Sequence, residues 1–258
     1  MRKTMSLSVF LMSIWISYVG PGTPAWAQTA ADFIAGKSKD CPGCNLAGAN
    51  LKRRNLAGAN LSGADLTDAS FHRSNLRGAN FSGANLTEAN LNKTDIIQAN
   101  FTNAKMNSAM LFEAEAGRAD FTGADLTEAL LGSIRLTGGK LDGTNLKETD
   151  FEGALLNEAS FVNAKMTEAN FHQARMLRAN MRGVSGENVE FTLAIMRDVN
   201  LGGAVLPDST FYLVDFTGSD FSGADFSRSI FRSAILGNTN QANTTFRGAM
   251  MPDNSISP

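Results

Sequence analysis

Two thiols stand at Cys41 and Cys44 of the stretch Cys41-Pro42-Gly43-Cys44. This spacing serves thiol–disulfide exchange in a thioredoxin-like βαβ setting, half of a four-ligand zinc site, or a short disulfide. No second cysteine pair exists to complete a zinc site, and the flanking sequence lacks the βαβ pattern. His72 and His172 are the only histidines, and they lie 100 residues apart. No Ser-His-Asp grouping, glycine-rich phosphate loop or metal-ligand spacing accompanies them. The expectation is a protein that is not an enzyme, with no cofactor and no metal site. What remains is a set of carboxylates, Asp68, Glu88, Glu128, Glu148, Glu168 and Asp208, separated by multiples of 20 residues. They act together only if the fold stacks them, so the elements that would do so come next.

A large apolar residue recurs every fifth position from Leu46 to Met251 without insertion or deletion. Leu, Phe, Met or Ile fills 39 of these 42 positions; Ala116, Gly186 and Gln241 are the exceptions. Two residues before each, Ala occupies 25 of 42 positions, and only Arg54 and Ile134 are clearly too large for a small-residue column. A period of five fits neither a helix nor a flat strand. It fits a solenoid whose units each point one bulky and one small side chain inward. One unit cannot bury its own leucine; stacked units can. Each burial is worth roughly 1.5–3 kcal/mol, and the small residues let a narrow interior close without voids.

The segments "ANLSGADLTD", "ANFSGANLTE" and "ADFTGADLTE" resemble the pentapeptide-repeat family, whose consensus is A-(D/N)-(L/F)-x-x. The resemblance implies an all-β fold, a right-handed quadrilateral parallel β-helix of about ten coils, which at the spacing of stacked strands is a rod about 50 Å long. Sorting at a spacing of 20 supports four sides independently. Residues 63, 83, 103 and so on to 243 are all Gly or Asn, types that tolerate positive φ. That column is expected to mark one side with tight turns, and the six acidic residues another.

The ends are irregular. Arg2 and Lys3, the apolar run Leu7–Val19, "GPGTP" and Ala25-Trp26-Ala27 read as a secretory signal peptide over residues 1–27. The apolar run of 13 residues is shorter than the roughly 20 a membrane span needs, so no stable membrane insertion is expected after cleavage. A periplasmic or secreted location follows, or a thylakoid lumen if the source is cyanobacterial. Residues 28–44 form the expected cap segment, with Phe33 and Ile34 covering the first coil. Pentapeptide-repeat proteins often begin their helix with a C-x-x-C of this kind, and in an oxidising compartment Cys41 and Cys44 are expected to pair. Residues 45–251 are the solenoid and 252–258 a short polar tail, too small for a large cap. At "RGVSGENVEF", where Gly186 replaces a large residue, a local bend or a weakened coil is expected.

The surface supplies three candidate sites. The acidic column binds Ca²⁺ weakly, meets a basic partner, or is a solvated turn column. Lys52, Arg53, Arg54, His72, Arg73 and Lys93 cluster near the first coils; no aromatic residues interleave with them, as single-stranded nucleic acid would require. Leu193, Tyr212, Leu213, Ile230 and Met250 occupy outward columns toward the C-terminus, with Ile195 and Ile235 on the next side. Such a patch marks an interface unless the tail covers it. The chain carries 25 acidic and 23 basic residues, and 21 basic ones without Arg2 and Lys3. The expected function is an exported, non-catalytic scaffold or binding module for an unknown protein partner. The alternative is self-association as a cell-envelope structural protein, possible as a homodimer through the C-terminal end. The family also implies a third reading, a DNA-mimicking, gyrase-interacting protein, from which the export signal and the weak net charge depart. Nucleic acid is not an expected partner.

Overall fold

The computed structural model describes residues 25–258. Residues 1–24, which hold most of the expected export segment, lie outside the described residues. From Asn45 to Met250 the chain winds as a right-handed parallel β-helix in which each bridge joins a residue to the one 20 further on. The four columns start Asn45–Asp65, Asn50–Ser70, Asn55–Asn75 and Asn60–Asn80. We name the four sides after these first asparagines. The expected four-sided coil with five residues per side is the fold observed.

The backbone polar groups are satisfied between coils. Leu46 N–H donates to Asp65 C=O (2.7 Å), Gly48 N–H to Thr67 C=O (2.8 Å), and Asp65 N–H back to Cys44 C=O (2.8 Å). Each corner is a turn, as where Ala49 N–H donates to Leu46 C=O at 3.0 Å. Its third residue has positive φ, as in a type II turn. Every fifth residue from Gly43 to Gly248 is in this state. This corrects the expectation of one glycine-requiring side: all four sides turn alike. Arg53, Glu88, Leu193 and Leu213 adopt φ of 57°, 58°, 62° and 58°. The two flanking inter-coil bonds hold them there, offsetting roughly 1–2 kcal/mol of strain each.

Asn and Asp abound before each large residue because their Oδ1 accepts the backbone N–H two residues on, as from Ala47 to Asn45 (3.1 Å) and Thr67 to Asp65 (3.2 Å). This bond favours the turn locally.

The large column is buried from Leu46 to Phe231, apart from Gly186. Phe81, Phe101 and Phe121 stack at centroid spacings of 4.9 Å, and Phe151, Phe171, Phe191, Phe211 and Phe231 at 4.7–5.1 Å. Ile134 fits inside, fully buried. At Gly186 the backbone itself moves in: a Cβ there would lie 2.7 Å from Met166 C. The usual turn bond is replaced by Val189 N–H to Ser209 Oγ (3.2 Å), yet bridges Lys165–Ser185 and Ser185–Val205 continue. The expected bend is a local substitution, with no break in the coil.

The N-terminal end is closed by helix α1, Ala25–Ile34. Phe33 is fully buried, whereas Ile34 is 58% exposed and does not join the cover expected of it. A helix brings only one of two adjacent residues to a given face. Arg54, too large for its column, leaves the interior and reaches α1. Its guanidinium donates to Phe33 C=O (2.9 Å) and lies 5.1 Å from the Phe33 ring. Ser74 Oγ fills the resulting gap by accepting from Arg54 N–H (3.1 Å) and donating to Leu51 C=O (2.7 Å). The tail does more than its length suggested: Ile256 pairs antiparallel with Met250, and Ser257 exchanges bonds with Gly248 and Ala249.

Candidate functional site

Cys41 and Cys44 form a disulfide (Cα–Cα 5.4 Å), and both residues are fully buried. They occupy the inward columns of the first turn, where Cys41 N–H donates to Asn60 C=O at 2.8 Å. Thr29 Oγ1 of α1 lies 3.3 Å from Cys44 Sγ. The arrangement ties the first turn beneath the cap helix.

His72 and His172 sit on the Asn50 side five coils apart, about 24 Å at the stacking distance. They do not converge. The acidic residues all occupy the positive-φ corner of the Asn45 side, with φ of 55° to 58°. For three of the six, repulsion is relieved in place: Lys147 Nζ lies 2.9 Å from Glu148 Oε1, Ser108 Oγ donates to Glu128, and Arg228 pairs with Asp208. The hydrogen bond to Glu148, reinforced by its charge and those of Glu168 and Glu128, holds the Lys147 ammonium above the ordinary lysine range. Arg228 likewise holds Asp208 below the ordinary carboxylate range. Among the described residues no group of three or more His, Cys, Asp or Glu is placed to hold a metal ion.

Elsewhere the charge is only partly paired: Lys105, Arg118, Lys165, Arg175, Arg182 and Arg247 have no ion pair among the described residues. Basic side chains pair with an acid one coil away in Lys93–Glu113, Arg135–Glu115, Lys140–Asp120 and Arg178–Glu158. The first coils of the Asn50 side differ in stacking like charges: Arg53 stands directly below Arg73, beside Lys52 and His72. Among the described residues none of these four makes an ion pair.

The apolar candidates lie on the same side, farther along the rod. Leu193, Leu213 and Ile230 are 41%, 44% and 39% exposed, while Tyr212 and Met250 are half-buried. Arg232 lies over the Tyr212 ring at 5.7 Å. Ile195 and Ile235 are exposed across the corner on the Asn55 side. The tail does not cover this patch. By pairing with Met250, exposed Ile256 extends it.

Two residues of the Asn50 side escaped the sequence reading, Phe112 and Leu130, both exposed. Their signal was present: Phe112 lies one position past the large register, so its ring has to point outward. Seven of the ten exposed large apolar residues fall between Leu193 and Ile256. At the C-terminal end, the N–H groups of Leu236, Asn238, Gln241, Asn243 and Phe246 have no inter-coil acceptor among the described residues. The tail closes only the edge at Gly248–Met251.

A family profile described as "Pentapeptide repeats" matches in 8 copies, over residues 44–83, 75–115, 117–153, 144–183 and 194–232. Among solved structures, HetL, a pentapeptide repeat protein involved in heterocyst differentiation regulation in the cyanobacterium Nostoc sp. strain PCC 7120, is similar at 22% identity. That match covers 88% of this chain and 97% of HetL, with a TM-score of 0.52, and it is a likeness of fold. Rfr23 from the cyanobacterium Cyanothece 51142 shares 29% identity over 50% of this chain and 94% of its own (TM-score 0.31). A pentapeptide repeat protein of the Arabidopsis thaliana thylakoid lumen shares 22% over 50% and 75% (TM-score 0.28). No curated protein matches the sequence significantly. No helix among the described residues is long and apolar enough to cross a membrane.

Proposed function

Because the chain belongs to the pentapeptide repeat family, we propose that it works by presenting a rigid surface: an exported, non-catalytic binding or scaffold module. The observation that carries this reading is the concentration of exposed apolar residues on one stretch of an otherwise polar rod. Leu193, Leu213 and Ile230 stand on successive coils where most other coils place Asn, Ser, Thr or charge. An apolar patch of this kind marks a docking surface. The continuous inter-coil ladder holds it stiff, so binding loses little conformational entropy. Export is supported by the basic start, the apolar run and Ala25-Trp26-Ala27, and by a disulfide suited to an oxidising compartment.

Intact mass of the protein recovered from fractionated cells tests the compartment. The expected species begins at Gln28, lies in the envelope or medium fraction, and weighs about 2 Da less than its reduced form. A full-length, reduced protein in the cytoplasm would overturn export.

One observation favours self-association as a second reading. The unpaired N–H groups of the last coil form an open edge that pairs readily with another chain. Sedimentation equilibrium separates the two readings: a concentration-dependent dimer supports the second, and a monomer at all concentrations removes it.

A further inference from the structure

We infer that the Asn50 side is a membrane-facing side, which adsorbs the rod lengthwise to an anionic lipid surface. The inference rests on the docking reading above and names what the surface meets. Four observations converge on this one side. Lys52, Arg53 and Arg73 are exposed, His72 is half-buried, and none of the four has an acidic partner among the described residues. Arg53 and Arg73 are stacked like charges, an arrangement that repels unless an anion is brought to it. Just beyond them Phe112 and Leu130 project, 43% and 48% exposed. At the far end Leu193, Leu213, Ile230 and Ile256 project as well.

Basic groups for headgroups together with aromatic and aliphatic groups for the acyl boundary are what adsorption at a lipid interface requires. Acids on the middle coils are largely engaged. Asp150 accepts from Glu152 N–H and Asn170 Nδ2, Glu190 accepts from Thr192 N–H, and Glu113 pairs with Lys93. Among the described residues of this side and its tail, Glu152 and Asp253 are the exposed carboxylates with no ion pair, and Asp253 accepts from Ser255 Oγ. Contact is therefore made chiefly at the two ends.

A second copy is a poor occupant for the same side. Two rods facing each other in parallel set Arg53 and Arg73 against themselves; antiparallel, they set those arginines against the apolar patch. A lipid surface offers anionic headgroups and apolar depth at every point, so it satisfies both ends at once.

Vesicle co-sedimentation tests this, using the disulfide-intact protein from Gln28 and phosphatidylcholine vesicles with or without phosphatidylglycerol. Binding is expected only with the anionic lipid, and it weakens with salt. Each basic side chain at such a surface raises partition about fivefold. Arg53→Glu with Arg73→Glu should therefore lower it at least about twentyfold. Phe112→Ser with Leu213→Ser should lower it by a similar factor at unchanged melting temperature, since each removes an exposed apolar group from the interface. Equal binding to both vesicle types, or none, overturns the inference. Binding to soluble dextran sulfate but not to vesicles also overturns it, in favour of a polyanion. No vesicle binding by the unsubstituted protein, together with a dimer that Leu213→Ser breaks, would reject the lipid while leaving the docking reading intact. No vesicle binding and no dimer would reject both.

Discussion

Arg54 shows how a residue that breaks the pattern carries information the pattern lacks. The two inward columns are legible from residue size alone, and nearly every member is buried as its type demands. In the sequence Arg54 stood out as a misfit in its column and as one of the basic cluster near the first coils; its role depends on α1, which has no periodicity linking it to the coil it covers, and its bond to Phe33 C=O takes it out of that cluster. The structure resolves the misfit through charged hydrogen bonds to the last carbonyls of a helix, where a cation is favoured. Arg54→Ala should cost about 1–3 kcal/mol, with faster amide exchange over residues 29–37 and unchanged exchange beyond Leu66. Unchanged exchange throughout would show that α1 is held by Phe33 burial alone.

At the scale of the coil, the spacing of 20 was legible and its turn chemistry was not. The Gly and Asn column at 63 to 243 stood out because two residue types fill it. The other three corners have the same positive φ under Arg, Glu, Asp, Leu and Ser. No residue type announces that conformation when inter-coil bonds impose it. Carboxylates that buttress the turns make the coils sensitive to acid. At Asp125, burial favours the neutral acid, but donors on Thr127 (2.6 Å), Asn107 (2.9 Å) and Asn145 (3.1 Å) outweigh it and hold the carboxyl below the ordinary range. Asp120 is lowered likewise: Thr122 and Lys140 overcome its burial. A lowered folded-state pKa contributes stability above the unfolded value of about 4 and loses it as pH falls through the folded value. The melting temperature should therefore fall steadily below about pH 4. Asp125→Asn should flatten that slope, and an unchanged slope would mean that other groups carry the acid sensitivity.

As a whole the molecule is a rod about 50 Å long whose two ends differ. The first coil is tied by a disulfide and roofed by a helix; among the described residues the last is closed along one edge and open along the rest. One side runs from unpaired positive charge to exposed apolar residues, and this polarity underlies the account of function. The C-terminal patch was legible because apolar residues at outward positions violate a strict period. Its continuation through Ile256 was not: five residues past Met251, Ile256 falls on the inward register, and the antiparallel pairing with Met250 turns it outward instead. Docking through the Asn50 side is tested by site-specific photo-crosslinking in intact cells, with a photoreactive benzophenone side chain at position 213 or, on the opposite side, at position 82. Mass-shifted adducts are expected from position 213 and none from position 82, where Ser82 belongs to the Asn60 side. Equal adducts at both positions, or none at 213, would contradict the assignment of a docking surface to this side.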